Sequence, residues 1–284
     1  MRKSKILVVL SLVLSVAILG GCAHTTSGVG KTSVSPVLDR ILDREELVVG
    51  MAGNMPPLNM TTKEGEIIGL EPELARYMAA GMGVGLRIET MPFAELLPAL
   101  LEEKIDMILS GMTITPERNL GVAFVGPYYV TGKAFLTKIE TIASAEEPSE
   151  VDTPDITLVA LAGSTSEYFA EDAIPRAKLV TAESYDEAVK MVMQGKADAM
   201  IADYEICAVS VLRYPEQGFV SIFTRLTYEP IGIALPAGDP HLINWLENFL
   251  GNLDGSGRLE VLAESWLEDG SWLERLPGPQ KQGE

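Results

Sequence analysis

Residues 104–118 read KIDMILSGMTITPER, and the order of chemistry in them decides the fold class. Ile105, Asp106, Met107, Ile108 and Leu109 form a short buried strand entered from a helix. Ser110 and Gly111 end it with small side chains. Thr115, Pro116, Glu117 and Arg118 then carry the signals of a new helix: a capping hydroxyl, proline in the first turn and an acid. Backbone N–H groups and hydroxyls exposed at the strand end, with an arginine beside them, make a receptor for a carboxylate.

Upstream, residues 47–51 (LVVGM) read as a first strand leading into a loop at Pro56 and Pro57. Residues 69–74 (GLEPEL) open a helix, with Pro72 in its first turn and Leu74, Tyr77 and Met78 on one face. Gly81, Gly83 and Gly85 end it, and residues 86–89 (LRIE) form a second strand. Phe93, Leu96, Leu97, Leu100 and Leu101 then fall at i, i+3, i+4, i+7 and i+8, an amphipathic helix that delivers the chain into 104–118. The order βαβαβ predicts an α/β fold with a mostly parallel sheet and helices on its faces.

The same plan returns at a constant offset of 92 residues. Ser184 and Glu187 spell a capping box. Val189, Val192 and Met193 stand where Leu97, Leu100 and Leu101 stood, Lys196 echoes Lys104, and Asp198 echoes Asp106. Ser110 and Gly111 become Ala202 and Asp203, so each half ends a strand beside a polar group. Between the halves lie an extended apolar stretch, 132–137, and an acidic segment, 140–155. Residues 157–161 (TLVAL) start the second unit and run into Gly163, Ser164, Thr165, Ser166 and Glu167, whose hydroxyls and amides either cap a helix or bind an anion. A further apolar strand near 228–235 makes the chain cross between halves twice, which places a hinge there and a ligand cleft between lobes.

Composition excludes several classes. Arg2, Lys3 and Lys5 precede fourteen apolar or small residues, 6–19, too few for a comfortable membrane span of about 20 and suited to a secretory signal. LGGC at 19–22 resembles the bacterial lipobox, which implies lipidation of Cys22 by palmitate-type chains and a membrane anchor that does not span. The expected segments are a signal peptide at 1–21 and a lipidated, flexible tether at 22–39. Removing 1–21 deletes three positive charges and no acid, taking the net charge from −18 to −21. Such acidity argues against a nucleic-acid partner. With Cys22 lipidated, Cys207 has no cysteine to pair with and reads as a buried small residue. His24 and His241 are the only histidines, too few for a His-rich metal site or a Ser–His or Cys–His dyad.

In this order and spacing, DMILSGMTITPER (106–118), VGPYY (125–129), AGSTSEY (162–168) and ADAMIAD (197–203) resemble the type II periplasmic solute-binding proteins of the polar amino acid ABC-transporter class, the bacterial extracellular solute-binding proteins of family 3. The resemblance covers residues 47–266. It implies a two-lobed periplasmic-binding-protein type II fold with a ligand cleft at a two-strand hinge, lobe 1 at 40–133 and 232–284, lobe 2 at 134–231. Arg118 matches the arginine that clamps an amino acid's α-carboxylate, for which a planar guanidinium is apt. Gly111 and Thr113 match positions giving an amide and a hydroxyl around that head group. Thr165 matches the lobe 2 residue that reaches the carboxylate on closure, and Asp203 the acid that pairs with the α-ammonium. Asp203 also reads as a plain helix cap, and Arg118 as a surface arginine.

This chain departs from the family at the side-chain pocket. Where many relatives carry an acid and then an aromatic ring, it has Ala52 and Met55, and the following aromatic is replaced by Leu58. Phe93 does match the pocket aromatic. With Met55, Leu58 and Phe93 as walls, an apolar or uncharged ligand side chain is favoured over a cationic one. The implied function is that of a non-catalytic receptor. It captures an amino acid at the extracytoplasmic face of a bacterial membrane, closes around it and presents it to an ABC permease, as a lipid-anchored monomer without cofactor or metal. Two alternatives are a ligand-sensing lipoprotein not coupled to transport, and a dehydratase-like enzyme on the same fold using Glu167, Asp203 or Glu205 as its acid.

Overall fold

The computed structural model describes residues 34–221 and 225–278; the signal peptide and Cys22 lie outside the described residues. The first half runs α1 (Pro36–Arg44), β1 (Glu46–Met51), β2 (Asn54–Met55), β3 (Asn59–Thr61), β4 (Ile67–Ile68), α2 (Leu70–Met82), β5 (Gly85–Thr90), α3 (Phe93–Leu101), β6 (Met107–Ile108) and β7 (Val122–Thr131). The second continues through β8 (Lys133–Thr137), α4 (Glu140–Ala143), β9 (Thr157–Leu161), α5 (Thr165–Ala173), β10 (Lys178–Ala182), α6 (Tyr185–Met193), β11 (Ala199–Asp203), α7 (Tyr204–Arg213) and β12 (Val220–Ser221). The chain returns through β13 (Glu229–Pro236), α8 (Pro240–Gly255) and α9 (Arg258–Leu267).

Two five-stranded sheets result, ordered β5-β1-β6-β13-β7 and β10-β9-β11-β8-β12. In the first, β1 pairs in parallel with β5 and β6; in the second, β9 pairs in parallel with β10 and β11. Leu47, Val48, Val49 and Met51 are fully buried because β1 has neighbours on both edges and layers on both faces, hence its continuous apolar run. Each sheet is completed by antiparallel pairings of the strands at the crossings: β13 with β6 and β7, and β8 with β11 and β12. The sheets are therefore mixed, rather than mostly parallel as the βαβαβ order alone predicts.

The repeat at offset 92 is structural. Asp106 accepts the Val48 amide of β1 at 2.9 Å, and Asp198 accepts the Thr157 amide of β9 at 2.7 Å. Each acid thus ties the entry of the third strand to the first strand of its unit, a tie that a buried backbone donor requires. Asp106 also takes Arg40 at 3.1 Å and Arg44.

Two boundaries differ from the sequence reading. Residues 35–39 are not tether: Pro36 begins α1, and Val37, Leu38 and Ile41 are buried against the first sheet's core, each contributing roughly 1.5–3 kcal/mol. Asp239 accepts the Val37 and Leu38 amides at 2.9 and 3.1 Å and the Ser35 hydroxyl at 2.6 Å, so a distant acid fixes the start of this helix. The signals at 115–118 produce one 3-10 turn, Arg118–Leu120, not a helix, because β7 begins at Val122.

The crossings meet at Gly132. A Cβ there would lie 2.3 Å from Thr227 O and 2.6 Å from Arg225 Cβ, so only glycine lets the two strands approach this closely. Lys133 N donates to Thr227 Oγ1 at 3.0 Å, and Leu226 N to Lys133 O at 2.8 Å.

Candidate functional site

The single turn at Arg118 aims its guanidinium back toward the sheet. Thr115 Oγ1 accepts the Arg118 amide at 3.2 Å, as the capping chemistry predicts. Nη1 then donates to Thr113 O at 3.0 Å, and Nη2 reaches Gly163 O on the other side of the cleft at 3.1 Å. The Phe93 ring lies 5.7 Å below the guanidinium carbon, a cation–π contact. Burial pushes the Arg118 pKa below its ordinary value. Two neutral carbonyls take two of its five donors and do not neutralise its charge, so the group still attracts an anion.

Thr113 is buried and bridges to Ile231 of β13. Its hydroxyl lies 3.3 Å from that of Thr165, which stands at the start of α5 in the second half. Together with the Arg118–Gly163 bond, this brings the two sides of the cleft into contact. Ser164 caps α5, accepting Ser166 N at 3.2 Å and Glu167 N at 3.3 Å, while Glu167 accepts Gly163 N at 2.7 Å. The capping reading therefore holds for these amides, and the Thr165 hydroxyl is what α5 presents to the cleft.

The Gly111 amide is not open to a ligand. It donates to Glu71 Oε1 at 2.6 Å, and the same carboxylate receives Tyr128 OH and Asn59 Nδ2. Glu71 is fully buried, and burial raises its pKa. Its role is to hold the strand-end loop in place. Gly111 itself has φ +57°, and a Cβ would meet Met55 Cε at 2.6 Å. Residue 111 is thus glycine for conformation and for room beside Met55. Met55 and Phe93 share one buried cluster, whereas Leu58 packs in the other, with Val49, Met107 and Leu109. Leu58 thus packs into the core of the first sheet.

Asp203 stands at the N-cap of α7 but makes no capping bond. Its carboxylate accepts Lys133 Nζ at 2.6 Å, the two residues facing each other in register across β8 and β11. Lys133 Nζ is also 3.5 Å from Glu229 Oε2. Glu229 accepts the hydroxyls of Thr165 and Thr227, each at 2.9 Å. Burial raises the Asp203 pKa, with Lys133 opposing. For Glu229, burial also acts upward, but Lys133 and the threonine hydroxyls outweigh it and hold the group below the usual carboxylate range. Glu205 serves the crossings: it accepts Tyr129 OH at 2.6 Å, Arg225 Nη2 at 2.9 Å and the Thr131 hydroxyl. Cys207 is buried, and burial raises its thiol pKa.

Lys133 and Glu229 are the residues that the sequence reading overlooked. A lysine inside the apolar stretch 132–137 was the available signal, since a buried ammonium needs a buried acid. Among the described residues, no group of three His, Cys, Asp or Glu side chains is placed to hold a metal ion.

The model of the bacterial extracellular solute-binding proteins, family 3, matches residues 47–269. The chain is similar to a solved structure described as a binding component of an ABC transporter from Wolinella succinogenes, complexed with lysine, at 40% identity and a TM-score of 0.77, covering 81% of this chain and 99% of that one. Cyclohexadienyl dehydratase of Pseudomonas aeruginosa is 27% identical over 242 residues, 81% of this chain and 86% of that protein. The L-arginine-binding protein of the same organism is 28% identical over 227 residues, 77% and 86% respectively. Relatives named as binding proteins outnumber those named as enzymes.

Proposed function

The chain belongs to the bacterial extracellular solute-binding proteins, family 3, and from that membership we propose that it captures an amino acid outside the cytoplasm for an ABC importer. One observation carries the reading: a cation and an acid flank the same pair of threonines, Arg118 on the Thr113 carbonyl and Glu229 on the Thr165 hydroxyl. Arg118 is bonded to Thr113, Thr113 touches Thr165, and Thr165 is bonded to Glu229 beside Lys133 and Asp203. A zwitterion needs such an arrangement, with its carboxylate on Arg118 and the hydroxyls and its ammonium on an acid at the hinge. Contacts from both lobes supply the differential affinity that favours closure.

The ligand side chain is uncharged in this reading. Ala52 stands where an acid would recruit a cation, and Met55 and Phe93 offer apolar walls. A cavity of about 310 Å³ opens beside Ala52, with Asn54 and Thr61 on one side and Asp186 and Arg213 on the other. Arg213 neutralises Asp186 at 2.7 Å. Neither Met55 nor Phe93 lines this cavity, so it stands apart from the apolar walls. The protein works as a monomer tethered through lipidated Cys22, with lobes near the limits read from sequence.

Binding without turnover is the primary reading. The similarity to cyclohexadienyl dehydratase favours a dehydratase as the second. A thermal-shift screen of the mature domain against the twenty amino acids tests the first: a binder at 100 times its Kd stabilises the fold by about 2.7 kcal/mol. No shift with any of them would defeat it, and conversion of a cyclohexadienyl acid to an aromatic product would establish the second. Loss of detergent-phase partitioning in Cys22→Ala tests the anchor.

A further inference from the structure

We propose that Glu229, not Asp203, receives the ligand's ammonium group, because Lys133 already occupies Asp203. The inference rests on the reading of this site as an amino-acid receptor. Lys133 and Asp203 face each other across paired strands at 2.6 Å, with side chains only 2% and 4% exposed. An incoming ammonium at Asp203 would take from a buried lysine its 2.6 Å partner and leave it only the 3.5 Å contact to Glu229, a cost that engaging Glu229 instead avoids.

The charges leave one acid for the task. Lys133 cancels Asp203, and what remains is Arg118 and Glu229, one cation and one anion, the complement of a zwitterion. Glu229 lies 3.5 Å from Lys133 Nζ, a longer and weaker contact than the 2.6 Å bond to Asp203. Its close donors are the neutral hydroxyls of Thr165 and Thr227, which rotate freely. Its carboxyl is held ionised by its surroundings. When an ammonium engages Glu229, the Thr165 proton is released to turn toward the ligand carboxylate on Arg118. One hydroxyl of the second lobe thereby couples the two halves of the head group. Because Glu229 begins β13, directly after the second crossing, the ammonium contact is made at the hinge itself.

The experiment uses the mature protein and calorimetry. Its probes are the twenty L-amino acids and, for the tightest binder, the 2-hydroxy acid with the same side chain. That analogue keeps the carboxylate and loses the ammonium. Glu229→Gln is expected to weaken the amino acid about 30- to 1,000-fold and to leave the hydroxy acid within about threefold, so that discrimination collapses. Asp203→Asn is expected to melt lower yet keep the discrimination. In Lys133→Met/Glu229→Gln the freed Asp203 should take the ammonium, restoring discrimination. If Glu229→Gln does not fold, Glu229→Asp withdraws the charge by one methylene and should show a partial loss. Retained discrimination in the Glu229 variants makes that residue a hinge support only, and its loss in Asp203→Asn, alone or as well, also overturns the proposal. A wild-type protein that binds no amino acid fails earlier, at the functional reading itself.

Discussion

Replacing Lys133 by methionine isolates the energetics of the hinge. Methionine matches the length of the lysine stem and fills its buried path, so the change removes charge more than volume. Asp203 loses its 2.6 Å partner and Glu229 its 3.5 Å one. Removing one member of a buried pair typically costs about 3–5 kcal/mol, because the other charge is left uncompensated. For a chain of this size that corresponds to a melting temperature lower by about 6–20 °C. The deficit carries a sign with pH. Asp203 already has a raised pKa through burial, and Lys133 is what opposes the rise. Without Lys133 the folded state holds the Asp203 proton to higher pH than the unfolded chain does, so stability falls as pH rises through the folded pKa. Urea unfolding of wild type and variant at pH 7 and pH 5, at one ionic strength, should show a deficit that is large at pH 7 and narrows at pH 5. A deficit equal at both values, or none at pH 7, would refute the view that Lys133 is there to compensate a buried acid.

Arg118→Ala should weaken amino-acid binding by about 2–5 kcal/mol, or roughly 30- to 4,000-fold, while circular dichroism and melting stay close to wild type, since this side chain is only half-buried. Gly111→Ala must adopt φ +57° with its Cβ 2.6 Å from Met55 Cε; the left-handed conformation alone costs about 1–2 kcal/mol, readable as a lower urea midpoint, and the shifted loop should also reduce affinity. Asp106→Ala and Asp198→Ala compare the two copies of one motif. The first forfeits two arginine contacts besides its amide and should cost about 1–3 kcal/mol after allowance for solvent at the arginines, the second about 0.5–1.5 kcal/mol, both by urea unfolding.

Much of the fold was legible because its signals are local. The 3.6-residue spacing of Phe93, Leu96 and Leu100 and the apolar runs at 47–51 and 157–161 gave the helices and strands their places. The echo of Asp106 in Asp198 marked a common tie from the third strand to the first, seen in both sheets. Less legible were features that depend on what arrives from elsewhere. Residues 35–39 read as a tether because their anchor, Asp239, lies about 200 positions away. Gly111 reads as an open amide until Glu71, forty residues earlier, is found to hold it.

The candidate site divides along the same line. From the sequence alone come an arginine suited to a carboxylate, its hydroxyl neighbours and the pairing of two similar units around a hinge, since residue type and spacing decide what chemistry a strand end can offer. Only the tertiary structure decides which of those groups are free. Asp203 carries the right charge at the right strand end, yet strand register sets Lys133 opposite it from 70 residues away. Glu229 arrives at the same point on the returning strand, bonded to the hydroxyl of Thr165. Desolvation makes each buried charge seek its partner, and the partner is chosen by how the sheets pair, which no local pattern encodes.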